Sequence, residues 1–235
     1  MIGNKLLAQR YELVELVRQS GPLYVYRAVD RRLARPVTVE LLDKSAADPR
    51  QIALFQHRAR KLAGRPSARL VGVHDVGDDQ NAAYAVLEPL QGSTIAEVLS
   101  RHTPLPIAEA VERVVALSAA VEAANEQQML DSLPDPASVY IREANRIKLG
   151  GLLFAGPDRE PLPSDVPARE QLLVQWLALL LVELLSSPRH GSGDTVADLP
   201  PTVPAGLKRL ITRAIEPDPA DPLLSLKDWS HALER

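Results

Sequence analysis

Cysteine is absent from the 235 residues. That excludes disulfides, thiolate-bound zinc and cysteine nucleophiles, and it fits a reducing compartment. Aromatic residues make up only 4%, so the core of a chain that is 46% hydrophobic must come from Leu, Val, Ile and Ala. A basic surplus is missing too. Lys+Arg 27 against Asp+Glu 30 leaves a net charge of −3, which exerts no domain-scale pull on nucleic acid. Residues 1–5 lead straight into an alternating segment, without the apolar core and small-residue cleavage site of a signal peptide. No apolar run is long enough to span a bilayer. The best candidate, 172–185, is shorter than the roughly 20 residues a span needs and contains Gln175 and Glu183, so it reads as a buried helix. The expected location is cytoplasmic, either as a free protein or as the cytosolic domain of a membrane-anchored one.

What is present divides into a strand-rich half and a helical half. Tyr11-Glu12-Leu13-Val14-Glu15-Leu16-Val17 and Tyr24-Val25-Tyr26-Arg27-Ala28-Val29 alternate, and Val37-Thr38-Val39-Glu40-Leu41-Leu42 is β-branched and apolar. Residues 49–64 read as an amphipathic helix with Pro49 near its start and Gly64 at its end. Two further strands, 70–76 and 83–88, flank Gly77-Asp78-Asp79-Gln80-Asn81. Beyond Gly92 the pattern becomes helical: a short helix over 93–101, a long one from Pro104 to Ala124, a buried one over 170–185 and two closing ones near 205–216 and 225–234. Two short strands are expected at 138–141 and 146–149, a Pro-rich loop at 156–168 and a mobile loop at 186–204.

Several phrases carry a resemblance. Gln9-Arg10-Tyr11-Glu12-Leu13-Val14-Glu15-Leu16, Val25-Tyr26-Arg27-Ala28-Val29-Asp30, Arg35-Pro36-Val37-Thr38-Val39 and Val73-His74-Asp75-Val76-Gly77 resemble the small lobe of bacterial receptor-type Ser/Thr protein kinases. Leu90-Gln91-Gly92-Ser93-Thr94-Ile95-Ala96-Glu97-Val98-Leu99 looks like that family's hinge and following helix, and Ala214-Ile215-Glu216-Pro217-Asp218-Pro219-Ala220-Asp221 like its closing helices. The resemblance covers nearly the whole chain. It implies an α+β, bilobal kinase-like fold as a single domain over 1–235. A five-stranded N-lobe with one helix would occupy about 1–88, a hinge 88–92 and a helical C-lobe with a shortened activation segment 93–235.

The positions that carry kinase chemistry depart from the family pattern. The resemblance places Arg18, Ser20 and Leu23 at the three loop glycines, where side chains block close approach to phosphates. It places Glu40 at the strand lysine and Arg58 at the helix glutamate, a charge swap that predicts an inverted ion pair and a carboxylate repelling phosphate. Leu133 falls at the catalytic base, Asp135 at the catalytic-loop lysine and Ser138 at the metal-binding asparagine. Gly151 falls at the metal-binding aspartate, and Leu173 at the aspartate that anchors the catalytic loop. Leu23, Leu133 and Leu152 are expected to fill part of the former nucleotide site, with Asp131 capping backbone groups or facing water.

These substitutions lead to the expectation of a pseudokinase. It would not be an enzyme, would bind no ATP, metal or other cofactor, and would act as a scaffold or allosteric regulator in a bacterial signalling or envelope-associated assembly. The expected partners are proteins: a kinase, a membrane protein or a forkhead-associated domain. The last would read Thr195 as a phosphosite in Thr195-Val196-Ala197-Asp198. Two other readings stay open. One is a repurposed enzyme, a phosphotransferase or nucleotidyltransferase with displaced residues, with backbone groups at Glu88-Pro89-Leu90 still available to a base. The other is a passive phosphoacceptor docked to a forkhead-associated domain.

Overall fold

The alternation over 11–43 and again over 73–87 builds one antiparallel sheet. The computed structural model, which describes residues 6–142, 146–156, 159–186, 196–216 and 225–235, forms it from six strands. They are β1 (Leu6–Leu7), β2 (Tyr11–Ser20), β3 (Leu23–Asp30), β4 (Arg35–Asp43), β5 (Val73–Asp78) and β6 (Ala82–Leu87), in the order β1-β2-β3-β4-β6-β5. The sixth strand corrects the expected five. It is a two-residue fold-back, Leu6 opposite Glu12 and Leu7 opposite Tyr11, too short to leave a periodic signal. By contact pattern the chain divides into two compact units, 1–91 with 150–159, and 92–149 with 160–235.

In the first unit both faces of the sheet are apolar. Residues paired across antiparallel strands share a face. Tyr24, Leu41 and Tyr84 therefore lie together, as do Tyr26, Val39 and Val86. This face packs as a cluster with Leu7, Tyr11, Leu13, Ala28 and Val37. The other face carries Thr38, Glu40 and Leu42 of β4. Strand β6 is buried along its whole length, as expected of a strand covered on both sides. Helix α1 (Pro49–Ala63) packs beside β5 and β6. Asp48 starts it with a capping box, accepting from Arg50 and Gln51 N–H while the Gln51 side chain accepts from Asp48 N–H. Its inward stripe is Phe55, Arg58, Ala59 and Leu62.

The second unit is helical around a small sheet, β7 (Ser93–Thr94), β8 (Val139–Ile141) and β9 (Ile147–Leu149). Gly92 sets up this sheet. Its φ is +99°, and a Cβ there would meet the Ile141 carbonyl oxygen at 2.0 Å, so no other residue fits. Helices α2 (Ile95–Leu99), α3 (Ile107–Glu126), α4 (Val166–Leu185), α5 (Ala205–Ile215) and α6 (Leu226–Leu233) complete it. Helix α4 begins four residues before the expected 170. Asp165 caps it by accepting from Ala168 N–H, and Pro167 in its first turn is a starter rather than a breaker. The two glutamine amides of this largely apolar helix reach α5. Gln171 donates to the Ala214 carbonyl and Gln175 to the Ile215 carbonyl, satisfying the free end of the neighbouring helix. The described part of the expected mobile loop, 196–204, buries Leu199 and Val203 and includes a one-turn 3-10 helix. Among the described residues, no helix is long and apolar enough to cross a membrane.

Candidate functional site

In the first unit, register brings several of the singled-out residues onto one sheet face. Irregular pairing between Leu13 and Glu15 and between Leu16 and Arg18 shifts the alternation of β2. Arg18 therefore lies opposite Val25, and Val25 opposite Glu40, which itself lies opposite Ala85. Ser20, Leu23 and Leu42 follow on the same face one step along. Leu23 is buried, Ser20 exposed and Arg18 half-buried. The segment after β9 also belongs to this unit, with Leu152, Leu153 and Phe154 buried. Gly151 is left-handed at φ +66°, and a Cβ added at Gly156 would stand 3.4 Å from the Ser20 hydroxyl.

Glu40 is the unusual group on this face. It is 2% exposed, and its Oε2 has no hydrogen-bond partner among the described residues. Burial pushes its carboxyl up to about 7, against the lowering pull of Arg18. The expected inverted pair is not formed. Glu40 makes no ion pair with Arg58, and the cation acting on it is Arg18. Arg58 is 5% exposed and follows the apolar stripe of α1 instead. Burial thus favours the neutral carboxyl of Glu40 over the fixed negative charge read from the sequence.

The hinge is occupied by its own unit. Glu88 N–H donates to the Gly72 carbonyl at 2.9 Å, and Leu90 N–H donates to the Thr38 hydroxyl at 3.1 Å. Pro89 has no N–H. The Glu88 carboxylate accepts from Gly72 N–H at 2.8 Å. The backbone donors expected to remain available at 88–90 are thus already committed.

In the second unit the residues matched to the catalytic loop do local structural work. Asp135 accepts from Ala137 N–H at 2.9 Å and caps a 3-10 turn over Pro136–Ser138. Ser138 is buried, while Leu133 is half-buried. Asp131 is half-buried, and its carbonyl accepts from Leu162 N–H. Leu173 is fully buried in α4. Thr195 and the stretch Pro217-Asp218-Pro219-Ala220-Asp221 lie outside the described residues.

One polar network escaped the sequence reading. Arg10 grips Asp30 with two nitrogens, Nε at 3.0 Å and Nη2 at 2.7 Å, and reaches Asp75 at 3.4 Å. The Tyr11 hydroxyl donates to the same Asp75 at 2.5 Å. The guanidinium of Arg10 holds the Asp30 carboxyl well below the usual range, to about 2, while burial and Asp75 push the Tyr11 phenol up. The phrases containing Arg10, Asp30 and Asp75 stood out in the sequence, but nothing in their spacing joined them.

The α+β architecture of the described residues, with its antiparallel sheet and six helices, is compatible with a protein kinase-like fold. The relatives agree: the chain's homologues are bacterial Hanks-type Ser/Thr kinases. It is 27% identical over 250 aligned positions to the serine/threonine-protein kinase PknA of Mycobacterium tuberculosis, covering 91% of this chain and 58% of that protein. It is 29% identical over 149 positions to PknL of the same organism, covering 63% of this chain and 37% of the relative. It is also 29% identical over 150 positions to a probable serine/threonine-protein kinase of Clostridium perfringens, covering 63% of this chain and 22% of the relative. The chain thus spans from 22% to 58% of these relatives' lengths, under two thirds in each case. No protein-family model matches it. These relatives correct the expectation that the chain is not an enzyme. Proteins named as Ser/Thr kinases are enzymes, and no finding removes activity from this one.

Proposed function

We propose that the chain serves bacterial Ser/Thr kinase signalling as a kinase-fold regulatory domain that engages a protein partner, and that it does not take up Mg·ATP in the ordinary kinase manner. The observation that carries this reading is the state of the nucleotide-side groups of the first unit. A buried Glu40, whose carboxyl burial pushes up to about 7, stands on β4 where the resemblance calls for a permanent cation, and Leu90 N–H is spent on Thr38. Leu23 at a loop-glycine position and Gly151 at the metal-ligand position support it, since close phosphate approach and an oxygen ligand for Mg²⁺ are what those positions supply in kinases. Whatever phosphoryl transfer the chain performs, in keeping with the names of its relatives, then runs without those groups.

A second reading, a nucleotide-using enzyme with displaced residues, is favoured by Arg18. Its charge acts on the same face as Glu40 and would serve a phosphate without metal. Calorimetry or thermal shift with ATP, with and without Mg²⁺, beside a phosphate-transfer assay on a generic protein substrate, separates the two. The expected result is no saturable Mg²⁺-dependent stabilisation at millimolar ATP. Tight binding at 100 times Kd would add about 2.7 kcal/mol and overturn the first reading. Stabilisation by ATP alone, lost in Arg18→Met, would establish the second.

A further inference from the structure

The second unit holds a pocket of about 460 Å³, within the range of roughly 300 to 1,000 Å³ that encloses a small molecule. Its walls come from helix α2, the turn that follows it, the 3-10 turn of Pro136–Ser138 and the end of α4. Ala96, Leu99, Pro136 and Leu184 give it an apolar body, and Ser100, Thr103 and Ser186 place hydroxyls in its wall. Hydrogen bonds hold that wall in shape. A capping box of Thr94 and Glu97 fixes the start of α2, and Leu105 N–H donates to the Leu184 carbonyl at 2.8 Å, tying the chain after α2 to the end of α4.

Each of the three hydroxyls has already spent its hydrogen. Ser100 donates to the Glu97 carbonyl at 2.9 Å, Thr103 to the Arg101 carbonyl at 3.1 Å and Ser186 to the Val182 carbonyl at 2.8 Å. A carbonyl only accepts, so the hydroxyl is the donor in each pair. What the three oxygens keep for a ligand is lone pairs. Backbone N–H groups beside them are spent as well: Ser100 on the Ala96 carbonyl, His102 on Leu99 and Ser186 on Val182. His102, Asp135 and Glu183 also line the pocket, and each of them already holds an interaction of its own.

That combination selects the ligand. An anion would bring acceptors to acceptors and would meet two carboxylates. A cation would have to compete for carboxylates that are already engaged. A pure hydrocarbon would strip water from the three oxygens without replacing its hydrogen bonds, at a cost. A neutral donor on an apolar body suits both parts of the wall, since it covers the apolar residues and returns a hydrogen bond to the oxygens. We propose that this pocket binds a small neutral molecule of the alcohol or phenol class. Its hydroxyl donates to the oxygens of Ser100, Thr103 or Ser186, and its apolar body lies against Leu99 and Leu184. The site belongs wholly to the second unit and does not depend on the reading of Glu40.

The test titrates the full chain with thymol, thymol methyl ether, cumate and p-isopropylbenzylammonium, following the methyl resonances of Leu99 and Leu184. The four share an apolar body and differ in being a donor, donor-free, anionic or cationic. Saturable shifts with thymol are expected, with affinity about fivefold above that for the ether, and none with cumate. The triple variant Ser100→Ala/Thr103→Val/Ser186→Ala should weaken thymol several-fold and leave the ether unchanged. Ser100 and Thr103 are exposed, and if the triple variant does not fold, at least one of the three single variants should narrow the thymol-to-ether ratio. Ala96→Phe fills the pocket and should abolish binding of both. No saturable shift with thymol, equal binding of the ether, tightest binding by the ammonium compound, or an unchanged ratio in the variants would each overturn the proposal.

Discussion

Two carboxyls are buried in the first unit's sheet, and they behave oppositely. Asp30 is 1% exposed at the end of β3, and Glu40 is 2% exposed in the middle of β4. Asp30 is met by two nitrogens of Arg10 and by the N–H groups of Arg32 and Leu33, at 3.1 and 3.3 Å, and is held down to about 2. Among the described residues Glu40 has an oxygen with no partner and one cation, Arg18, acting on it, and it rises to about 7. Similar exposure therefore accompanies one permanent anion and one carboxyl pushed up toward neutrality. Deeper desolvation and missing partners together decide the charge state of Glu40, and the Arg10 guanidinium that of Asp30. The family-derived reading of Glu40 as a fixed repelling charge fails for that reason: it assigned a charge by residue type alone.

The largest expected effect comes from Glu40. Its folded carboxyl at about 7 stands above the unfolded value of 4.5. The folded state therefore holds a proton that the unfolded state has released. No stability is lost below about pH 4.5. The loss grows as pH rises and levels off above about pH 7, where it amounts to about 3 kcal/mol. Glu40→Met removes the titration. Urea unfolding from pH 4.5 to 8 should show the wild type losing about 3 kcal/mol relative to the variant across that window. A constant difference between the two proteins would mean that Glu40 is ionised at all these pH values, and the contrast with Asp30 would collapse.

The opposite pH limb belongs to Asp30. Its folded value lies below the unfolded 3.8, so its contribution is complete above that pH and is lost as pH falls through about 2. In Arg10→Met the guanidinium is gone, and the acid-unfolding midpoint should move to higher pH. Circular dichroism between pH 5 and 1.5 reads this directly. An unchanged midpoint would assign the acid stability of Asp30 to the backbone donors of Arg32 and Leu33 instead.

How much of this was legible beforehand depends on the range of the cause. Strands β2 to β6 and helix α1 follow from periodicity and caps within a few residues, which are local. Strand β1 was not legible because two residues show no period. Register was not legible either, and the two irregularities in β2 decide that Arg18 faces Glu40. Arg58 illustrates the limit from the other side. The stripe Phe55, Arg58, Ala59, Leu62 places it inward by spacing alone, inside the charged run His57-Arg58-Ala59-Arg60-Lys61. Only His57 and Arg60 of its charged or titratable members are exposed. The Arg10, Asp30 and Asp75 network joins residues 65 positions apart, a distance over which sequence spacing carries no signal. Of the candidate site, the residue types at the singled-out positions were readable, and their match to kinase positions belongs to the proposal. The partners of those residues were not readable.

The smallest of these effects tests whether Asp30's neighbourhood is a network or a lone pair. Arg10 spans from Asp30 to Asp75, and Tyr11 closes the far side by donating to Asp75. The Tyr11 ring is 1% exposed in the aromatic cluster, 6.3 Å from the ring of Tyr84 and edge-on to it. Tyr11→Phe keeps that packing and removes one hydrogen bond, so it should cost about 1 kcal/mol at pH 7. The pH dependence gives a second readout. The phenol is held above its ordinary value of 10.0 in the folded state, so its stabilising contribution is present below pH 10 and is lost as pH rises beyond it. The gap between wild type and variant should therefore close in urea unfolding at pH 11. A variant as stable as the wild type at pH 7 would confine the interaction to Arg10 and Asp30, and would leave Asp75 as a surface carboxylate with no part in holding the sheet.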